Sequence, residues 1–221
     1  MNQTRAYYDA RASEYEEAYT LGTGTSSIRD PGVFTTEARI LASIVAQHVE
    51  GRVIDVACGT GFWLPAYAER CSHVTLFDQS DKMLDECWQK VERLGLTGRS
   101  TLLQGDVFEQ PFTPGSYDCA LVGFLLSHLT EAQEAAFFAV LKSMLAPGGR
   151  FLILESAWSP ERATVNMKTE EQERRLNDGT RFEILKRYFD RNDVAEWGRR
   201  YQVSLEIEHF GAAFVAVSGR V

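Results

Sequence analysis

"VIDVACGTGFW", residues 53–63, sets an acidic residue, Asp55, in an apolar run and breaks that run with two glycines, Gly59 and Gly61. The apolar half reads as a strand. The glycines read as the turn that leaves it, where the missing Cβ lets backbone bend sharply and lie close against a ligand.

Outward from that corner, helical periodicity alternates with short apolar runs. Helices are expected over 34–49, 62–71 and 80–95, and strands over 52–57, 73–78, 100–106 and 117–126. The run 117–126 is too uniformly apolar for a half-exposed strand and reads as central. Thr130 followed by Gln133 predicts a capping box for a helix over 131–146, closed at "PGG" (147–149) by a left-handed glycine, and 150–156 reads as a fifth strand. Short strands separated by helices imply βαβ units, a parallel sheet and an α/β fold. Beyond 156 the rhythm changes. Residues 159–180 are polar and ambiguous between loop and helix, 181–189 reads as extended, 190–201 as helical, and 203–221 as two antiparallel strands joined at Gly211, so one edge of the sheet should be mixed.

The 221 residues suffice for one domain, 1–221, and the 44% hydrophobic and 24% charged content is that of a globular protein with a core. A formal charge of −8 offers no net attraction to phosphate backbones or anionic membranes, so neither nucleic acid nor membrane is an expected partner. Cys58, Cys71, Cys87 and Cys119 show no zinc-ligand or disulfide spacing, which favours a reducing, cytoplasmic setting and no metal. The N-terminus lacks the apolar stretch of a signal peptide, and no run nears the roughly 18 apolar residues of a membrane span.

Ligands of open α/β sheets bind beyond the carboxyl ends of the strands. A dinucleotide site would want a third glycine where Leu64 stands, and Asp55 would repel a pyrophosphate. The same corner suits a cationic ligand: Asp55 facing an amino group, directly or through water, and the turn of Ala57, Cys58, Gly59 and Gly61 against an amino-acid-like portion. Asp78, 23 positions after Asp55, stands near the offset at which a carboxylate accepts ribose hydroxyls. A nucleoside with a positively charged tail is implied.

"VIDVACGTGFW", "VTLFDQSDKML", "LLQGDVFEQPF", "YDCALVGFLLSHL" and "LKSMLAPGGRFLIL" together resemble, in order and spacing, the class I S-adenosylmethionine-dependent methyltransferases over roughly residues 34 to 156. The resemblance implies a Rossmann-like, doubly wound, mostly parallel seven-stranded sheet with an antiparallel edge hairpin and an N-terminal helical lid. Segment 1–33 would be the lid, 34–156 the cofactor core, and 157–221 an acceptor-side insertion and the C-terminal strands. The cofactor set it implies adds to the corner Asp78 on the ribose, with Gln79 beside it. Asp106 would lie near the adenine amino group, and Val107 and Met83 on the two ring faces. Phe124, with Leu125 and Leu126, would wall the acceptor, and His128 is the expected general base. Among Tyr7, Tyr8, Tyr15 and Tyr19, the first three are expected as site residues at the methionine end if the segment folds over it. Core packing is the alternative. Arg175, Arg181 and Lys186 either meet an anionic acceptor or form a solvated face, and His48, His73 and His209 read as structural or surface residues.

The activity expected is methyl transfer from S-adenosylmethionine to an O or N nucleophile of a small molecule. A macromolecular acceptor is disfavoured by the lack of an appended recognition domain, and a homodimer is compatible. One alternative is a cyclase or lyase that consumes the same sulfonium and releases methylthioadenosine. Another is a scaffold in which the cofactor is structural, although the cofactor corner reads as intact.

Overall fold

The computed structural model describes residues 3–21, 28 and 30–221. Part of the expected lid, residues 1, 2, 22–27 and 29, lies outside the described residues. In chain order the strands are β1 (Gly51–Val56), β2 (Cys71–Asp78), β3 (Ser100–Gln104), β4 (Tyr117–Gly123), β5 (Leu145–Ser156), β6 (Thr169–Arg175), β7 (Arg181–Arg187), β8 (Ser204–Phe210) and β9 (Phe214–Arg220). Seven of them form one sheet in the order β3-β2-β1-β4-β5-β9-β8, while β6 and β7 pair as a separate antiparallel ribbon. β1 to β5 are parallel, and β9 runs antiparallel to both β5 and β8. The expected mostly parallel sheet with an antiparallel edge pair is what forms. Strand order reverses between β1 and β4, which creates a crevice beyond their carboxyl ends.

The α-helices are α1 (Gln3–Arg11), α2 (Glu17–Thr20), α3 (Pro31–His48), α4 (Leu64–Tyr67), α5 (Asp81–Arg93), α6 (Glu131–Met144) and α7 (Arg191–Tyr201). The two-residue period of β1 feeds two apolar layers. Val53 packs with Leu41, Leu64 and Tyr67 on one face, and Ile54 with Phe137, Leu141 and Ile153 on the other.

Four local expectations are corrected. The helix over 62–71 shrinks to α4 and a 3₁₀ turn at 68–70. The strand over 117–126 stops at Gly123, because Phe124 takes a left-handed φ of 56°. α6 keeps its Thr130–Gln133 capping box but ends without a left-handed glycine: Leu145 is already extended, and Gly148, at φ 75°, lies inside β5 where its pairing with β4 shifts register. The ambiguous stretch 159–180 contains β6.

Glu37 of α3 locks the β8–β9 turn. Its carboxylate accepts backbone N–H bonds from Ala212 (2.8 Å), Ala213 (3.2 Å) and Phe214 (2.9 Å). Gly211 is required beside it, since a Cβ there would lie 2.1 Å from Glu37 Oε2. Glu37→Ala strands these buried donors and is expected to cost about 2–3 kcal/mol of stability, read as a lower denaturant midpoint at unchanged slope.

Among the described residues no helix is long and apolar enough to cross a membrane, and no cluster of His, Cys, Asp or Glu is placed to hold a metal.

Candidate active site

The crevice begins where two strands end in strain. Ala57, after β1, and Phe124, after β4, hold left-handed φ values of 57° and 56° without being glycine, at a cost of about 1–2 kcal/mol each. Such outliers cluster at functional sites. Between them the turn continues through Gly59, also left-handed, where a Cβ would reach only 3.5 Å from the Tyr15 ring and 3.9 Å from Met83 Sδ. The glycine therefore leaves a cradle that any side chain would begin to fill.

Asp78 ends β2 facing this cradle. Its Oδ2 accepts the Gly59 N–H at 2.9 Å and its Oδ1 the Ser80 N–H at 2.9 Å. Burial pushes its pKa upward, and the backbone donors partly offset that. Each oxygen keeps a second lone pair for a ligand hydroxyl. Ser80 also caps α5 by accepting the Met83 N–H at 3.1 Å, which fixes the thioether of Met83 at the crevice wall.

A cleft of about 890 Å³, including its open mouth, gathers Tyr15, Ala57, Gly59, Asp78, Gln79, Met83, Asp106, Val107, Phe124 and His128 from the expected set, a size typical of small-ligand sites. Asp106 holds its loop by accepting the Phe108 N–H at 2.9 Å. Thr4, Tyr8 and Phe108 also line the cleft. Thr4 and Tyr8 share a face of α1 by their four-residue spacing.

Four expected cofactor residues do not line it, and neither does Leu126, expected in the acceptor wall but buried in the core with Phe137 and Leu141. Asp55 shares a sheet face with Val53, so its carboxylate points under α4, where it is 1% exposed and accepts the Tyr67 hydroxyl at 2.7 Å. Burial raises its pKa to about 7, with the Asp78 charge adding to the rise against the Tyr67 bond. Cys58 is buried and donates its N–H to Phe77 O at 3.1 Å. Gly61 faces α5, where a Cβ would lie 2.8 Å from Cys87 Sγ. Tyr7 sits on the neighbouring face of α1, its hydroxyl accepting from Arg11 at 2.8 Å and its ring 5.6 Å from Phe182.

His128 is engaged at both ring nitrogens. Leu185 O, 2.8 Å from Nδ1, can only accept, so Nδ1 carries the proton and Nε2 accepts the Tyr8 hydroxyl at 2.7 Å. Burial, then the nearby Lys186 charge, holds its pKa well below the ordinary range, so the ring is neutral. His128, the expected general base, therefore meets the cleft through the Tyr8 hydroxyl that occupies its accepting nitrogen.

The N-terminal segment is tied across the cleft. Glu16 accepts the Thr60 hydroxyl at 2.7 Å and pairs with Lys90 of α5, while Asn177, between β6 and β7, donates its N–H to Glu14 at 3.0 Å. Behind Tyr8, Tyr15, Phe124 and His128 lies a second chamber, reached by Tyr7, Arg11, Arg162, Arg174 and Lys186. Of the three cations expected near an acceptor, only Lys186 is there. Strand alternation puts Arg174 and Lys186 on the inner face of the ribbon and Arg175 and Arg181 on the outer, where Arg181 pairs with Glu173 at 3.2 Å. Arg11, Arg162 and Arg174 were not anticipated. The alternation would have separated Arg174 from Arg175, but only with β6 read as a strand.

Sheet order, crevice and glycine-bearing turn define the class I S-adenosylmethionine-dependent methyltransferase fold, and residues 53–149 match the family model described as a methyltransferase domain. Residues 53–149 thus carry a methyltransferase domain and the chain has the fold of that class, whose methyl donor is S-adenosylmethionine. It is similar to the ubiquinone/menaquinone biosynthesis C-methyltransferase UbiE of Pasteurella multocida, 33% identical over 109 residues, 47% of this chain and 39% of that one. The UbiE of Idiomarina loihiensis is 35% identical over 121 residues, 52% of this chain and 46% of that one. The chain thus spans less than half the length of these curated relatives. Over nearly its whole length it shares its fold with the solved DhpI-SAM-HEP complex, at TM-score 0.78 and 22% identity, covering 99% of this chain and 96% of that one. The 1,6-didemethyltoxoflavin-N1-methyltransferase of Burkholderia thailandensis follows at TM-score 0.61 and 17% identity, covering 97% and 88%.

Proposed function

We propose that the chain, acting as a single domain over 1–221, transfers a methyl group from S-adenosylmethionine to an oxygen or nitrogen of a small molecule, in the cytoplasm. The observation that carries this reading is Asp78, a buried carboxylate held by two backbone N–H bonds at the rim of a cradle made by Gly59. Its free lone pairs suit the paired hydroxyls of a ribose. Met83 and Val107 offer apolar surface for an adenine, Asp106 an acceptor near its amino group, and Gln79 a neutral polar neighbour. Ala57 and Gly59, under Tyr15, would hold the methionine portion. Asp55, Cys58 and Gly61 then act from beneath, holding the turn against Tyr67 and α5.

When bound, the cofactor supplies an electrophilic methyl on a positively charged sulfur. The chain's contribution is alignment and exclusion of water, and orienting two reactants is alone worth about 7–11 kcal/mol. Phe124 and Leu125 wall the space, and α1 with the following turn covers it. Tyr8 presents a hydroxyl held in place by neutral His128, so a proton from the acceptor passes to His128 by way of Tyr8.

The UbiE relatives are named as C-methyltransferases, so the modified atom is part of the test. Nothing in the comparisons supports the cyclase or lyase alternative. Purified protein incubated with S-adenosylmethionine and candidate metabolites is expected to yield S-adenosylhomocysteine and an O- or N-methylated product by mass spectrometry. Methylthioadenosine instead, or a new carbon–methyl bond, would refute this reading.

A further inference from the structure

The second chamber is strongly cationic, with Arg11, Arg162, Arg174 and Lys186 in its lining. Lys186, 7% exposed, donates to Ser127 Oγ at 2.9 Å, and its Nζ lies 5.6 Å from the Tyr188 ring centroid. The Arg162 guanidinium, on a residue 3% exposed, stacks 4.6 Å over the same ring and donates to Ala213 O at 3.0 Å. From the opposite wall Arg11 lies 5.2 Å over the Tyr15 ring, and Arg174 enters from β6. Glu155 stands behind Ser127, where it accepts the Ser127 and Ser156 N–H groups at 3.1 and 3.3 Å. Among the described residues, no carboxylate comes within the 4.0 Å of an ion pair to Arg11, Arg174 or Lys186.

Glu155 is the carboxylate beside Arg11, Arg174 and Lys186, and one carboxylate against these three converging side chains leaves excess positive charge. Buried charge without a partner is costly, and a charge-assisted partner offsets that cost. Arginine guanidinium groups match the paired oxygens of carboxylates and phosphates. The chamber shares Tyr8, Tyr15, Phe124 and His128 with the cofactor cleft, so whatever it holds lies next to the methyl-bearing end of that cleft.

On the methyltransferase reading above, we propose that the methyl acceptor is a small molecule bearing an oxyanion, carboxylate or phosphate-type, gripped by Arg11, Arg162, Arg174 and Lys186. The chamber measures about 640 Å³ with its openings, which limits the acceptor to metabolite size. The charge imbalance sets the ligand's sign, and the guanidinium groups set its preference for paired oxygens.

Calorimetry with inorganic phosphate and with succinate, each against a neutral counterpart (trimethyl phosphate, succinamide), tests this with and without S-adenosylhomocysteine. At least one anion is expected to bind and neither neutral compound to do so, and which anion binds distinguishes the two oxyanion types. Arg174→Gln and Lys186→Met should each weaken anion binding at least tenfold while leaving S-adenosylhomocysteine affinity within twofold. Arg174 is only half-buried, so Arg174→Gln answers the question even if Lys186→Met folds poorly. Equal binding of the neutral compounds, no binding of either anion, or undiminished anion binding by a folded Arg174→Gln variant would overturn the proposal. Anion binding without S-adenosylhomocysteine binding would instead count against the methyl-donor reading alone.

Discussion

Asp78→Ala should bind S-adenosylhomocysteine on the order of 100- to 10,000-fold more weakly than the parent. Two hydrogen bonds from ribose hydroxyls to an ionised, desolvated carboxylate are worth about 1.5–3 kcal/mol each, and each 1.4 kcal/mol is about tenfold in affinity. The same carboxylate accepts the Gly59 and Ser80 N–H groups, so the variant also loosens the turn that forms the cradle. Titration calorimetry should therefore be paired with a denaturation curve, and affinity scored on protein shown to be folded. A folded Asp78→Ala variant of unchanged affinity would remove the ribose from this position and the proposed cofactor placement with it.

Asp55→Asn should stabilise the protein, and more so at higher pH. The buried carboxyl has a pKa of about 7, against 3.8 for the ordinary group. Below pH 4 both folded and unfolded chains hold its proton and there is no penalty. Between pH 4 and 7 the unfolded chain releases the proton while the folded chain keeps it, so stability falls as pH rises; above pH 7 the penalty is complete. A shift of about three units corresponds to roughly 4 kcal/mol. Asparagine presents the same accepting oxygen to the Tyr67 hydroxyl without the titration. The expected gain in unfolding free energy is about 4 kcal/mol at pH 8 and about 1–2 kcal/mol at pH 5, measured by chemical denaturation without cofactor. A loss of stability at pH 8 would mean that the folded chain stabilises the ionised form of Asp55.

Much of the parallel core was legible because its signals are local. Val53, Ile54 and Val56 are apolar on both faces, as a central strand must be. Asp78 was found from a strand end and its offset from Asp55, Met83 from the family resemblance, and both line the cleft. Misreadings arose where one residue's backbone choice outweighed the pattern, as at Phe124, whose left-handed turn cuts short an apolar run that otherwise reads as strand to residue 126. The acceptor side was harder to read because β6 has no apolar alternation. It is a ribbon of charged residues whose inner face is defined only by what it packs against.

From the sequence alone came the α/β layering, the sheet with its antiparallel edge and the ligand corner after β1, because periodicity, glycine freedom and burial act within a few residues of one another. Tertiary structure alone decided that Asp55 is enclosed under Tyr67, that His128 is held between Tyr8 and Leu185, and that Arg11, Arg162, Arg174 and Lys186 converge. Those partners lie far apart in the chain. A side chain's charge state and reach depend on the groups folding brings against it, and on the water folding removes.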